Sequence, residues 1–248
     1  MKIAIVGYGQ MGRLIKKCAV EKNMEVVSTI DPLHPAATHR ELSAEAMEGV
    51  DVCICFTQPN AAIKNIEDAC RAKKQIVIGT TGWADRMPYV EDLVSKSGIG
   101  LVYSSNFSVG VNIYFRLIEQ AARVIDKFDM YDISGFEAHH RLKRDSPSGT
   151  ATTIGKILLK HIGRKKRVTV DKLDRKIAAD ELHIASLRGG HVPGTHSVLF
   201  DSEADTIELK HTARSRMGFA MGAVLASQWI LGKKGTYTEA DMMRQILD

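Results

Sequence analysis

Cysteine is scarce in this chain, with only four among 248 residues, at positions 18, 53, 55 and 70. Cys53 and Cys55 fall inside the apolar run Val52-Cys53-Ile54-Cys55-Phe56, and no second ligand pair stands near that C-x-C. They read as core thiols rather than zinc ligands, and no disulfide framework is indicated. Long apolar runs are missing too. None reaches the roughly 20 residues that a helix needs to span a bilayer, so a membrane partner is not expected. No charge of one sign dominates: Lys and Arg number 34 against 29 Asp and Glu, for a net +5. The basic residues are scattered, and the one block, Arg164-Lys165-Lys166-Arg167, reads as a solvated loop. A nucleic-acid partner is therefore not implied, while the mild positive balance suits a small anionic ligand. Repeats and low-complexity segments are absent. Met1-Lys2-Ile3-Ala4-Ile5-Val6 runs straight into a strand pattern with no leader ahead of it, and a reducing cytoplasmic setting is the expectation.

What is present is ordinary globular material, 44% hydrophobic and 25% charged, enough for one large domain or two smaller ones. Residues 2–6 form a β-rich run that meets Gly7-Tyr8-Gly9-Gln10-Met11-Gly12, and apolar residues at helical spacing follow. The order strand, G-x-G-x-x-G, helix is a dinucleotide-binding pattern. Its first glycine allows the tight turn, its second lets the backbone approach a pyrophosphate, and its third lets helix pack closely on strand. A second strand, 25–30, ends at Asp31, 19 residues past Gly12, where a carboxylate for the ribose hydroxyls is expected. Asp31 with Pro32 after it implies NADH, with NADPH tolerated. Strands at 52–56, 75–78 and 100–103 alternate with helices at 59–72 and 85–97. Two strand-end loops, Gly79-Thr80-Thr81-Gly82 and Ser104-Ser105-Asn106-Phe107-Ser108, fall where an open α/β sheet places the rest of a dinucleotide.

Beyond Asn106 the pattern changes. A long helix at 111–128 precedes a strand, 131–138, that delivers His139 and His140. Next come Lys143 and a Pro147-Ser148-Gly149-Thr150 turn that opens a helix over 149–161. Histidine exchanges protons near neutral pH, and a helix start offers free N–H groups to an anion. One segment therefore holds proton donors, a cation and an anion cradle. Glu137, His139, His140 and Asp145 are also metal-ligand types, but adjacent histidines on a strand point to opposite faces, so no metal is expected. Segments 181–187, 195–200 and 206–210 alternate with period two, and a helix rich in small residues, 216–231, is expected to return to the first domain.

The fold expected is α/β: an N-terminal Rossmann domain with a parallel sheet (1–108 plus 217–248), and an inserted α+β domain of mostly antiparallel sheet (109–216). The chain resembles the dihydrodipicolinate reductase family over essentially its whole length. The resemblance is carried by Gly7 to Arg13, by Gly79 to Gly82, by Ser105 to Val111 and by Arg188-Gly189-Gly190. Arg214 to Ala220 adds to it, but its strongest part is the stretch from Glu137 to Ala151. Ser146, where the family commonly has Ala, departs from the pattern. The resemblance implies hydride transfer from NADH or NADPH to a cyclic unsaturated dicarboxylate. It makes His139 the proton donor with Lys143 as its partner, and His140, Ser148, Gly149 and Thr150 the substrate-binding residues. Gly7, Tyr8, Gly9, Gln10, Met11, Gly12, Asp31, Gly79, Thr80, Thr81, Ser104, Ser105, Asn106 and Phe107 become the cofactor-binding residues. It also implies a homotetramer built through sheets of the second domain, while the two chain links between the expected domains imply a hinge whose closure brings nicotinamide to substrate. Rival readings are another Rossmann imine reductase or amino-acid dehydrogenase, such as an aspartate dehydrogenase, and a non-catalytic NAD-sensing regulator.

Overall fold

The computed structural model of the protein describes residues 1–170 and 172–247. Asp171, within the expected second domain, and Asp248, at the end of the expected return, lie outside the described residues. The chain divides into two compact units, Met1–Val109 with Arg216–Asp248, and Gly110–Ser215.

The first unit begins β1 (Lys2–Val6), α1 (Gln10–Glu21), β2 (Glu25–Ile30), β3 (Val52–Cys55) and α2 (Ala62–Arg71). It continues with β4 (Gln75–Ile78), α3 (Met87–Ser97) and β5 (Gly100–Tyr103), and it takes α6 (Met217–Trp229), β11 (Gly235–Thr238) and α7 (Glu239–Leu247) from the far end of the chain. Its six strands are all parallel, in the order β11-β5-β4-β3-β1-β2. Such a sheet is covered on both faces, which is why Ile3 to Val6 and Val52 to Cys55 are apolar without interruption and buried throughout. Strand order reverses between β1 and β3, so the crevice for a nucleotide opens beyond the carboxyl ends of those two strands. The small residues of α6 have a local cause: a Cβ on Gly222 would stand 1.6 Å from the carbonyl oxygen of Phe107. Sequence pattern did not suggest β11 or α7. Gly235-Thr236-Tyr237-Thr238 is short, half-buried at a sheet edge and without apolar alternation.

The second unit holds α4 (Val109–Ile125), which starts at the boundary, then β6 (Asp132–His139), α5 (Gly149–His161), β7 (Arg167–Thr169), β8 (Glu181–Arg188), β9 (Thr195–Asp201) and β10 (Thr206–Thr212). The sheet order is β10-β9-β6-β8-β7. Pairing is antiparallel across β10, β9 and β6, as the period-two segments suggested, but parallel across β6, β8 and β7. The sheet is thus mixed rather than mostly antiparallel, because α5 and the segment after it carry the chain back across the sheet, as parallel neighbours require. Helices α4 and α5 supply Tyr114, Ile118, Ile154 and Leu158 to a core with Ile133, Leu182, Ile184, Val198 and Phe200. Each of the larger of these side chains contributes about 1.5–3 kcal/mol by leaving water.

The basic block at 164–167 is not a solvated loop. Arg167 begins β7, and Lys165 is buried with its ammonium on the carbonyls of Ala179 and Glu181 and 2.6 Å from Asp132 Oδ1. These acceptors replace the water that the ammonium gives up. Among the described residues no helix is long and apolar enough to cross a membrane, and the four cysteines are buried free thiols.

Candidate active site

Strand β6 ends in His139, and its register sets what surrounds that ring. Glu137 lies opposite His196 of β9 on one side and Ser186 of β8 on the other, while His139 lies opposite Arg188. Glu137 is fully buried. Its Oε1 accepts hydrogen bonds from Ser148 N at 3.0 Å, Ser186 Oγ at 2.8 Å and Arg188 Nη2 at 2.7 Å. Its Oε2 stands 3.2 Å from His139 Nδ1 and 3.4 Å from His196 Nε2. Burial acts to raise the pKa of Glu137, but the bonds from His196, Ser148, Arg188 and Ser186 outweigh it and hold the carboxyl far below the usual range. Burial also pushes His139 down to about 4. The charge of Glu137 opposes that shift, and His196, Lys143 and Arg188 add to it. The unliganded imidazole is therefore neutral at pH near 7.

Helix α5 begins beside this cluster. Ser148 is its N-cap, accepting from Ala151 N at 3.2 Å, and the same hydroxyl meets His196 Nε2 at 3.2 Å. The side chain proposed for substrate is thus buried and engaged in holding the helix start. Gly149 is different: apart from its chain neighbours and the helix's own backbone, no atom comes within 4 Å of where its Cβ would stand, so the space over the helix start is open. Lys143 is half-buried, bonded to His140 O through its backbone and paired with Asp145, at 2.8 Å to Oδ1. Of the side chains weighed on the sequence as metal ligands, Glu137 and His139 come together, joined by His196. Their ligand atoms lie within 4.8 Å of one another. His140 and Asp145 are not in that group. Glu137, Arg188 and His196 were not assigned from the sequence. Only the register of three strands shows them to be neighbours.

In the first unit Gly7 takes φ +90°, and a Cβ there would strike the carbonyl of Phe56 at 2.1 Å. Only glycine accepts both conditions. Gly12 is as tight, with a Cβ falling 2.1 Å from Gly7 O, whereas Gly9, the N-cap of α1, has no atom within 4 Å and no side-chain cap. The donors of this helix start and the open space over Gly9 fit a pyrophosphate. Both oxygens of Asp31 accept backbone N–H groups: Tyr8 at 2.8 Å, and Leu33 and His34 at 2.9 Å. Burial tends to raise its pKa, but those bonds prevail and keep it below the usual range. Beside it Arg13 Nη1 meets His34 Nε2 at 3.0 Å, and Arg40 Nη1 donates to His34 O at 2.9 Å. Gln10 is held by Arg216, and Met11 packs against the core of this unit.

Several other expected cofactor residues face inward. Thr80 is buried and accepts from Thr57 N at 2.8 Å, and Phe107 is buried against Phe56. Gly79 exists to admit the Phe56 ring, 2.2 Å from its virtual Cβ. Thr81 and Ser105 are exposed, and Ser104 Oγ and Asn106 Oδ1 accept from Asn106 N and Ser108 N, both at 2.9 Å.

A parallel sheet with an uncapped glycine-rich helix start at its switch point, joined to a unit bearing a buried imidazole cluster beside an open helix start, defines a nicotinamide-dependent oxidoreductase. The N-terminal family model of dihydrodipicolinate reductase matches residues 1–107, and the C-terminal one matches residues 110–243. The chain belongs to the dihydrodipicolinate reductase family. It is 36% identical over 246 residues to the 4-hydroxy-tetrahydrodipicolinate reductase of Christiangramia forsetii, covering 99% of each chain. It is 37% identical over 262 residues to that of Archaeoglobus fulgidus, covering 98% and 100%. Among solved structures it resembles a dipicolinate-bound dihydrodipicolinate reductase from a Paenisporosarcina species, with TM-score 0.79, 22% identity and 98% and 99% of the two chains covered. It also resembles the scyllo-inositol dehydrogenase of Lactobacillus casei with bound NAD(H), with TM-score 0.56, 11% identity and 100% and 89% covered. At such identities the likeness is one of fold.

Proposed function

We propose that this chain reduces 4-hydroxy-tetrahydrodipicolinate to tetrahydrodipicolinate with a reduced nicotinamide dinucleotide, in the route to diaminopimelate and lysine. One observation carries the reading. A buried imidazole, an ammonium and an open helix start, the groups needed to protonate and hold a dicarboxylate, lie together in a chain 36% identical over its length to reductases of that name.

When bound, the dinucleotide supplies a hydride. The conjugated imine that accepts it gathers an electron pair that must take up a proton, and His139 delivers it. Neutral in the free protein, His139 becomes the imidazolium when a doubly negative substrate brings its charge alongside. Lys143 turns from Asp145 toward a substrate carboxylate. The N–H groups of Gly149 and Thr150, with the Thr150 hydroxyl and His140, receive the carboxylates, and Ser148 supports them from beneath as the cap.

For the cofactor, Gly7, Gly9 and Gly12 with the start of α1 hold the pyrophosphate. Asp31, with three of its lone-pair sites taken by N–H groups, has capacity left for a ribose hydroxyl. Arg13 and Arg40 supply cations for a 2′-phosphate. NADH is used and NADPH is accepted. Assembly proceeds through the outward face of the second unit's sheet, where Phe136 and the 65%-exposed Leu187 stand free of the core, giving a homotetramer. Buried free thiols suit a reducing cytoplasm.

The test is a coupled assay. Product of dihydrodipicolinate synthase is supplied as substrate, and loss of reduced-nicotinamide absorbance is followed with NADH and with NADPH, alongside light scattering for the assembly. Turnover with either cofactor supports the reading, and no turnover with both removes it.

A further inference from the structure

Glu137 has no part in the chemistry so far, yet every element of the site converges on it. Its Oε1 is saturated by a backbone N–H, a hydroxyl and a guanidinium. Its Oε2 accepts no well-formed hydrogen bond and stands between His139 Nδ1 at 3.2 Å and His196 Nε2 at 3.4 Å, the His139 nitrogen being itself without a partner. A buried acceptor left unmade is costly, and a small turn of the ring lets Nδ1–H donate to it. The opposite ring nitrogen, Nε2, lies 3.1 Å from where a Cβ on Gly194 would stand, so a side chain there would press on it. Arg188 Nη2 stands 2.7 Å from Glu137 Oε1 and balances its charge.

We propose that Glu137 is the positioning residue for His139: Oε2 holds the proton on Nδ1 and so turns Nε2 toward the substrate, while Oε1 anchors the helix start that receives the carboxylates. This rests on the reading of His139 as proton donor. In the reaction the Nε2–H bond breaks, its proton goes to the ring atom holding the electron pair left by hydride addition, and the imidazole returns to the neutral Nδ1–H tautomer. Glu137 stays ionised throughout, and solvent restores the proton. Charge on Glu137 favours the imidazolium, opposed by Lys143 from the following turn, Arg188 from β8 and His196 from β9.

Nitrogen-15 NMR of the intact protein reads the tautomer directly, with the His139 signals assigned by their loss in His139→Gln. Nδ1–H is expected in the wild type, and Nε2–H there overturns the proposal without any Glu137 variant. In folded Glu137→Gln, kcat should fall by roughly 10²-fold or more with KM changed far less. The alkaline limb of the kcat profile, which reports the substrate complex, should move to lower pH, and Glu137→Asp should move it back. An unshifted limb in a folded Glu137→Gln overturns the proposal. If His139→Gln keeps full kcat while the wild type shows Nδ1–H, the donor reading fails and the pairing with Glu137 stands.

Discussion

The backbone N–H of Ser148 donates to Oε1 of Glu137 at 3.0 Å, both groups being buried. That bond ties the start of α5 to the strand that ends in His139.

His139→Gln should therefore remove the proton donor without loosening the cradle. The expected result is a fall in kcat of about 10²–10⁴-fold with KM altered only a few fold. Steady-state kinetics over several substrate concentrations checks it, and a change confined to KM would take His139 out of the donor role.

Gly149→Val tests the cradle from the other side. The space its Cβ would enter is empty, so the fold should tolerate the change. A branched side chain there obstructs an incoming carboxylate, and KM for substrate should rise roughly tenfold or more while KM for the dinucleotide stays put. Equal effects on both ligands would place the carboxylate elsewhere.

Arg13 stands beside the Asp31 turn through His34. Arg13→Ala should raise KM for NADPH by roughly tenfold, the worth of one charge-assisted contact, and leave that for NADH nearly unchanged. Measuring both cofactors on the same preparation decides it. Parallel shifts would mean that Arg13 does not meet a 2′-phosphate.

Glu239 predicts a pH effect on stability. It is buried at the start of α7, its Oε1 lacks a partner, and burial raises its pKa from 4.5 to about 8. The unfolded chain loses this proton above about pH 4.5, while the folded chain keeps it until near pH 8, so folded-state stability falls as pH rises through that window. Glu239→Gln removes the penalty. Its gain should be near zero at pH about 4 and on the order of 1–3 kcal/mol at pH about 7, read by thermal melts across pH. A gain independent of pH would contradict this account.

Much of this was legible in the residues, because the signals were local. Gly7 to Gly12 after an apolar strand, Asp31 at the end of the next strand, and His139 running into Ser148-Gly149-Thr150 are each readable within one short window. What was not legible depends on register. Glu137 is 59 residues from His196 and 51 from Arg188 in the chain, and only the pairing of β6 with β9 and β8 makes them neighbours. The same applies to Lys165, whose burial rests on carbonyls of the following segment. Thr80 and Phe107 were placed correctly in their loops, but a loop sequence does not say which side chains turn inward.

A hydride is expected to pass from the dinucleotide to the cyclic substrate. Reduction with NADH deuterated at the transferring position of C4, in ordinary water, followed by mass spectrometry of the tetrahydrodipicolinate formed, tests it most directly. The account predicts product heavier by a single deuterium. Unlabelled product, or no product, would contradict it.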